Sequence, residues 1–275
     1  MPQIVGRDDE KGIAHLARRW VLLVVSLLSL AACTAEDTSR TGEDMLLWTD
    51  GPVAWDTDPS TVIVKLYSPY TTAGLPGAYD HRYYVPEAQI WGHGRIIWVR
   101  QEGQRRRILE GRLTAEEMEA LLRRFVKAGF FEWNVEYQTL GGNSSPPMCL
   151  RVNLADRVHK VCEHGGAPDA YYDLQRELLN GAGASGYEFA PSRGYLTAEP
   201  FPGGVEAPQW PEEARVTPDM AMNGRYIDGE ALAFAWATLN RNPTAPVYVR
   251  CGGEVYIIMV QVPGVSYFEP PPPPD

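Results

Sequence analysis

The sequence predicts an α+β fold: an antiparallel sheet, built from a meander plus hairpins and packed by two to three helices. Three observations predict it. Short β-branched runs parted by glycine-bearing turns fill residues 62–112. A capped amphipathic helical pattern follows at 114–129. The strands then precede helices without the regular alternation that a parallel sheet requires.

The first strand is VIVKLY, Val62–Tyr67. YYVPEAQI (83–90) and RIIWVRQ (95–101) flank Gly92-His93-Gly94, and RRILEGR (106–112) follows a turn at Gly103, which completes the meander. Thr114 with Glu117 forms a capping box, Gly129 stops the helix, and Met118, Leu121, Leu122, Phe125 and Val126 make one core-facing stripe. FFEW (130–133) packs after it, followed by the loop GGNSSPP (141–147).

MCLRVNLADRVHKVCEH (148–164) reads as a hairpin. With Ala155-Asp156 as its two-residue loop, Leu150, Val152 and Leu154 share the core face. Cys149 then faces Cys162 on the other side, at a non-hydrogen-bonded position where Cα atoms approach to ~4.5 Å. A Cys149–Cys162 disulfide is therefore expected, which leaves Cys251 as a free thiol.

A second helix covers about Pro168–Asn180, with Tyr171, Leu174 and Leu178 inward and Pro168 in its first turn. Residues 199–218 hold five prolines and Gly203-Gly204, and read as a linker or wrapping loop. A third helix capped by Asp228 buries Leu232, Ala235, Trp236 and Leu239. Beyond it VYVRC and EVYIIMVQV form a hairpin about Gly252-Gly253. The expected organisation is an α+β core at 46–198, the linker at 199–218, a docked helix–hairpin module at 219–268, and a polyproline tail at 269–275, which reads as a disordered end with a recognition segment as the alternative.

The N-terminal segment has a different character. Trp20–Ala32 is thirteen apolar or small residues preceded by Arg18-Arg19. A helix of that length rises only ~20 Å, short of the ~30 Å hydrocarbon core of a bilayer. A positive flank, a short apolar run and small residues before a cut make a secretory signal layout. Leu30-Ala31-Ala32-Cys33 resembles the lipobox of bacterial lipoproteins. The resemblance implies a signal peptide at 1–32 cut between Ala32 and Cys33, and palmitate-type acyl chains on Cys33. It further implies a membrane-anchored protein on the exported side, at the outer membrane or the outer face of the cytoplasmic membrane. Polar Thr34–Asp44 reads as a flexible tether, so 33–45 links anchor to domain.

The chain carries a net charge of −10, and removing Met1–Ala32, with four basic and three acidic residues, moves it to −11. This acidity argues against nucleic acid as a partner. Arg105-Arg106-Arg107 reads as a solvated strand edge. No nucleophile elbow, phosphate loop, zinc-protease helix or dinucleotide fingerprint occurs, and no cofactor or metal is expected. His81, His93, His159 and His164 read as isolated, with His93 at a turn tip whose glycines need positive φ. Asp50, Asp56 and Asp58 lack calcium-loop spacing. Aromatics such as Tyr67, Tyr70, Tyr83 and Tyr84 fall in loops or strand edges, where they suit protein or sugar contacts, but plain core filling is the favoured reading because Trp91, Trp98 and Trp133 sit among apolar neighbours. These residues favour a non-catalytic binding module for another envelope protein, or for a wall glycan. The alternative is an envelope hydrolase using an acidic pair such as Asp80 with Glu87.

Overall fold

The computed structural model describes residues 51–69, 84–139, 146–241 and 246–273. They form the expected α+β architecture, with two mostly antiparallel sheets and three α-helices among the described residues. Strands β1 (Val62–Tyr67), β2 (Ala88–Trp91), β3 (Arg95–Glu102) and β4 (Arg105–Arg112) lie side by side in chain order, which is the predicted meander. β5 (Glu136–Gln138), β6 (Met148–Asn153), β7 (Val158–His164) and β8 (Tyr187–Glu188) extend it to eight strands, in the order β5-β7-β6-β1-β2-β3-β4-β8. β5 pairs parallel with β7, and the other ladders of this sheet are antiparallel.

β2 is shorter than the expected 83–90 strand, because Tyr84–Glu87 stay outside it. Pro86 has no N–H to give a ladder, so regular pairing begins only after it. Gly92 needs its lack of side chain for a different reason from the one expected. A Cβ there would meet the Asp56 carbonyl oxygen at 2.1 Å, so the glycine admits close packing of the 56–58 loop; Gly94 does take a positive φ of 85°.

Helix α1 (Ala115–Lys127) has the capping box of Thr114 and Glu117, and its chain reverses at Gly129 with φ 74°. Met118, Leu121, Leu122 and Phe125 are buried, and Val126 is partly so. Helix α2 (Asp169–Leu179) buries Tyr171, Leu174 and Leu178, with Pro168 at the N-cap rather than in the first turn. Both helices pack on one face of the large sheet through Ile90, Ile96, Trp98, Leu150 and Val152. A shift of register between Val62 and Val64 lets consecutive Ile63 and Val64 both enter this core.

The opposite face, through Trp91, Ile97, Val99 and Ile108, packs against helix α3 (Gly229–Arg241) and a second sheet. That sheet runs β10 (Arg225–Ile227), β9 (Gly194–Pro200), β12 (Glu254–Gln261), β11 (Tyr248–Cys251). α3 buries Leu232, Ala235, Trp236 and Leu239, and it contacts both β4 and β12. The β11–β12 loop is Gly252-Gly253, with φ 59° and 88°, the signs a type I′ turn demands.

Two expectations about the C-terminal third change. β9 straddles the expected boundary at residue 198 and pairs with β12, so residues on both sides of the proline-rich stretch share one sheet. Within that stretch Trp210 is 1% exposed, and its backbone N–H donates to the Arg250 carbonyl at 2.8 Å; the segment wraps the β11 edge. The proline run is not a free end over its described part, because the Tyr226 hydroxyl donates to the Pro271 carbonyl at 2.6 Å.

Among the described residues no helix is long and apolar enough to cross a membrane. Ala32, Cys33 and the whole 33–45 tether lie outside the described residues.

Candidate functional site

The disulfide forms where the hairpin register puts it. Leu154 N–H donates to the Arg157 carbonyl at 2.7 Å across the Ala155-Asp156 loop, and Cys149 pairs with Cys162. Their Cα atoms are 4.0 Å apart and the sulfurs are bonded, while Cys251 is free. The Cys162 N–H donates away from Cys149, to the Val135 carbonyl at 2.9 Å, as a non-hydrogen-bonded cross-strand pair requires.

The disulfide borders an aromatic cluster of buried Tyr67 and Tyr84 with the partly buried Tyr267. The Tyr67 and Tyr84 rings, expected at loops or strand edges, are covered by Tyr267, whose centroid lies 5.3 Å and 6.0 Å from theirs. Lys65 Nζ stands 4.6 Å from the Tyr267 centroid, and Tyr84 Oη accepts the Ser68 N–H at 2.9 Å. Burial pushes the Glu87 carboxyl and the Tyr84 hydroxyl up, and pulls the Lys65 ammonium down. Glu87 faces Tyr84 Oη at 3.4 Å, whereas Asp80, its expected partner in an acidic pair, lies outside the described residues. This cluster clamps the chain around Tyr267 onto β1 and the approach to β2. Tyr70 and Tyr83 lie outside the described residues.

The remaining sequence candidates have structural partners. Asp56 Oδ1 accepts the Asp58 N–H and Asp58 Oδ1 accepts the Ser60 N–H, so the two carboxylates organise their own loop; Asp50 is outside the described residues. His159 Nε2 lies 3.0 Å from the Trp133 carbonyl, with its ring edge-on to Phe130, and His164 lies 3.4 Å from Glu136. His81 is outside the described residues. Among the described residues no group of three or more His, Cys, Asp and Glu is placed to hold a metal. In the basic run Arg105 bridges Glu188 and Arg107 bridges Glu102, each at 3.1 Å, while Arg106 lies near enough to Glu87 to oppose the upward push of burial.

Among the described residues, a concavity that the sequence does not announce adjoins Arg95 and Glu110. Two hollows of about 490 and 510 Å³ share Arg95 and Glu110 as a common wall. The first is closed by Phe189, Arg193 and Tyr226, at the junction of the two sheets. The second reaches past Arg112 and Tyr187 to the start of α1. Arg95 Nε donates to Glu110 Oε1 at 2.6 Å, and its guanidinium carbon lies 4.8 Å from the Trp91 ring centroid and 5.7 Å from that of Phe189. This cation is thus held in place by one carboxylate and two aromatic faces. On the rim, Tyr187 is 64% exposed. At the same end of the sheet His93 is held below its ordinary value by burial, with Arg112 and Arg95 adding repulsion and Asp58 opposing.

Both carboxylates lining the cleft are engaged. Glu110 takes the Arg95 N–H, and Glu117 Oε2 accepts the Thr114 N–H at 2.7 Å in the capping box. The signal for this site lay in the β3–β4 turn. With Gly103-Gln104 as a two-residue loop, Arg95 falls opposite Arg112, and Glu110 falls on the same face two residues away. Phe189, Arg193 and Tyr226 arrive only by long-range folding, and nothing local announces them.

In comparisons with family models, curated proteins and solved structures, nothing matches this chain.

Proposed function

We propose that this chain is an exported protein held to a membrane by acyl chains on Cys33, and that its folded part works by binding. The surface we assign to that role is the double cleft walled by Arg95 and Glu110, with another envelope protein as its partner. The lipobox-like Leu30–Cys33 segment supports the anchor.

The observation that carries the binding reading is the fixed Arg95–Glu110 pair among aromatic side chains. Arginine and aromatic residues are enriched where protein partners bind, and a side chain already ordered loses less entropy on contact. A hydrolase would need two carboxylates able to act on a substrate, and the two lining this cleft are engaged with Arg95 and with a helix N-terminus. A protein partner is favoured over a glycan by Arg193, whose guanidinium carbon lies 4.2 Å from the Tyr226 centroid on a ring that a sugar would need to stack on.

A photo-crosslinking residue at Tyr187 tests the reading in intact envelopes, with the same residue at Val158, 58% exposed, as control. A discrete adduct from position 187, weakened by Arg95→Gln and surviving added soluble wall fragments, is expected. Equal labelling at both positions, or none at 187, contradicts the assignment.

A further inference from the structure

We infer that the cleft is a docking groove for polyproline strands, and that Pro270–Pro273 of this chain is its built-in occupant. The inference rests on the binding reading above and adds what controls access to the site.

The contact has a specific geometry. The Tyr226 hydroxyl donates to the Pro271 carbonyl at 2.6 Å, and Pro273 joins Arg193 and Tyr226 in the wall of the first hollow. Tyr195 meets Tyr226 edge-to-face at 5.2 Å, and Arg193 covers a face of the Tyr226 ring at 4.2 Å, so the hydroxyl that meets the prolines is carried on a braced ring. Proline suits this surface for physical reasons. Its φ is fixed, so a proline run loses little entropy on docking, and it offers carbonyl acceptors without competing N–H donors.

The chain leading to the run is tied down. Gln261 Nε2 donates to the Phe268 carbonyl at 3.0 Å, and the Gly264 N–H donates to the Glu269 carboxylate at 3.0 Å. Such a short tether gives the prolines an effective concentration in the millimolar range at the groove. Pro271 to Pro273 nonetheless remain exposed, so the strand is held by few contacts. A partner presenting a better proline-rich strand can displace it from Tyr226.

The test uses purified folded protein, with a fluorescent peptide copying Glu269–Asp275 as probe, so it does not depend on finding an envelope partner. The intact chain is compared with one ending at Glu269, after circular dichroism and urea melts show that both fold alike. The shortened chain should bind the peptide with a Kd on the order of 0.1 mM or tighter, about a tenth of that effective concentration, and the intact chain at least about tenfold more weakly. Tyr226→Phe in the shortened chain should weaken binding about fivefold, the worth of one hydrogen bond. No uptake by the shortened chain up to about ten times that concentration, equal uptake by both chains, or equal binding of a peptide with alanines in place of the prolines overturns the inference. If the peptide binds as expected while crosslinking at position 187 finds no partner, the groove stands and the envelope-partner reading falls.

Discussion

Arg95 stands directly opposite Arg112 across the β3–β4 ladder. Two like charges in cross-strand register repel, and Glu110, two residues from Arg112 on the same face, offsets this by taking the Arg95 Nε–H. Glu110→Gln should therefore cost about 1–2 kcal/mol, a charged hydrogen bond discounted for partial exposure. Adding Arg112→Ala should recover part of that loss. Urea midpoints for the single and double variants measure it, and strictly additive losses would show that Glu110 does not shield the arginine pair.

The disulfide should be structural. Cys149 and Cys162 are separated by 13 residues, and closing so short a loop is worth about 2–4 kcal/mol. Replacing both by alanine should lower stability by that amount. Peptide mapping without reduction should show 149 joined to 162, and Cys251 open to alkylation. A linkage through Cys251 would reject the observed hairpin register.

Glu87 should make stability depend on pH with an unusual sign. Burial raises its carboxyl above the ordinary value, so the folded chain holds that proton to higher pH than the unfolded chain does. The neutral form is the one the fold accommodates; its contribution is complete below the unfolded value of ~4.3 and is lost as pH rises through the raised one. Glu87→Gln should raise the urea midpoint at pH 7 and leave it nearly unchanged at pH 4. A variant whose advantage is the same at both pH values would contradict this account of Glu87.

Helix α1 should carry the core beneath the large sheet. Leu122 is fully buried, so Leu122→Ala should cost ~2–5 kcal/mol. Glu116→Ala, on the exposed face, should stay within ~0.5 kcal/mol. Equal urea midpoints would reject this division of the helix.

Wherever a two-residue turn fixed the register, the sequence was readable at the level of cross-strand partners. Ala155-Asp156 placed Cys149 against Cys162, and Gly252-Gly253 placed Cys251 against Glu254. Helix α1 was equally legible, because its cap, stripe and stop are all local. The cleft was not, because Arg95, Phe189, Arg193 and Tyr226 come from segments that meet only when the sheets pack together. The pairing of β9 with β12 was hidden for a related reason. The proline-rich stretch between them suggests a boundary, yet Trp210 pins it to the β11 edge. Tyr67 and Tyr84 could be placed only at loops or strand edges, because the ring that covers them, Tyr267, lies far along the chain.

A binding domain tethered to a membrane through Cys33 is tested most directly at the N-terminus of the mature protein. Intact-mass and peptide analysis of protein purified from membranes should find a chain beginning at Cys33, with that residue carrying the added mass of acyl chains. Cys33→Ala should accumulate as uncut precursor without incorporated palmitate. A membrane-bound chain that retains Met1–Ala32, or a mature chain that starts elsewhere without lipid, would contradict the claim.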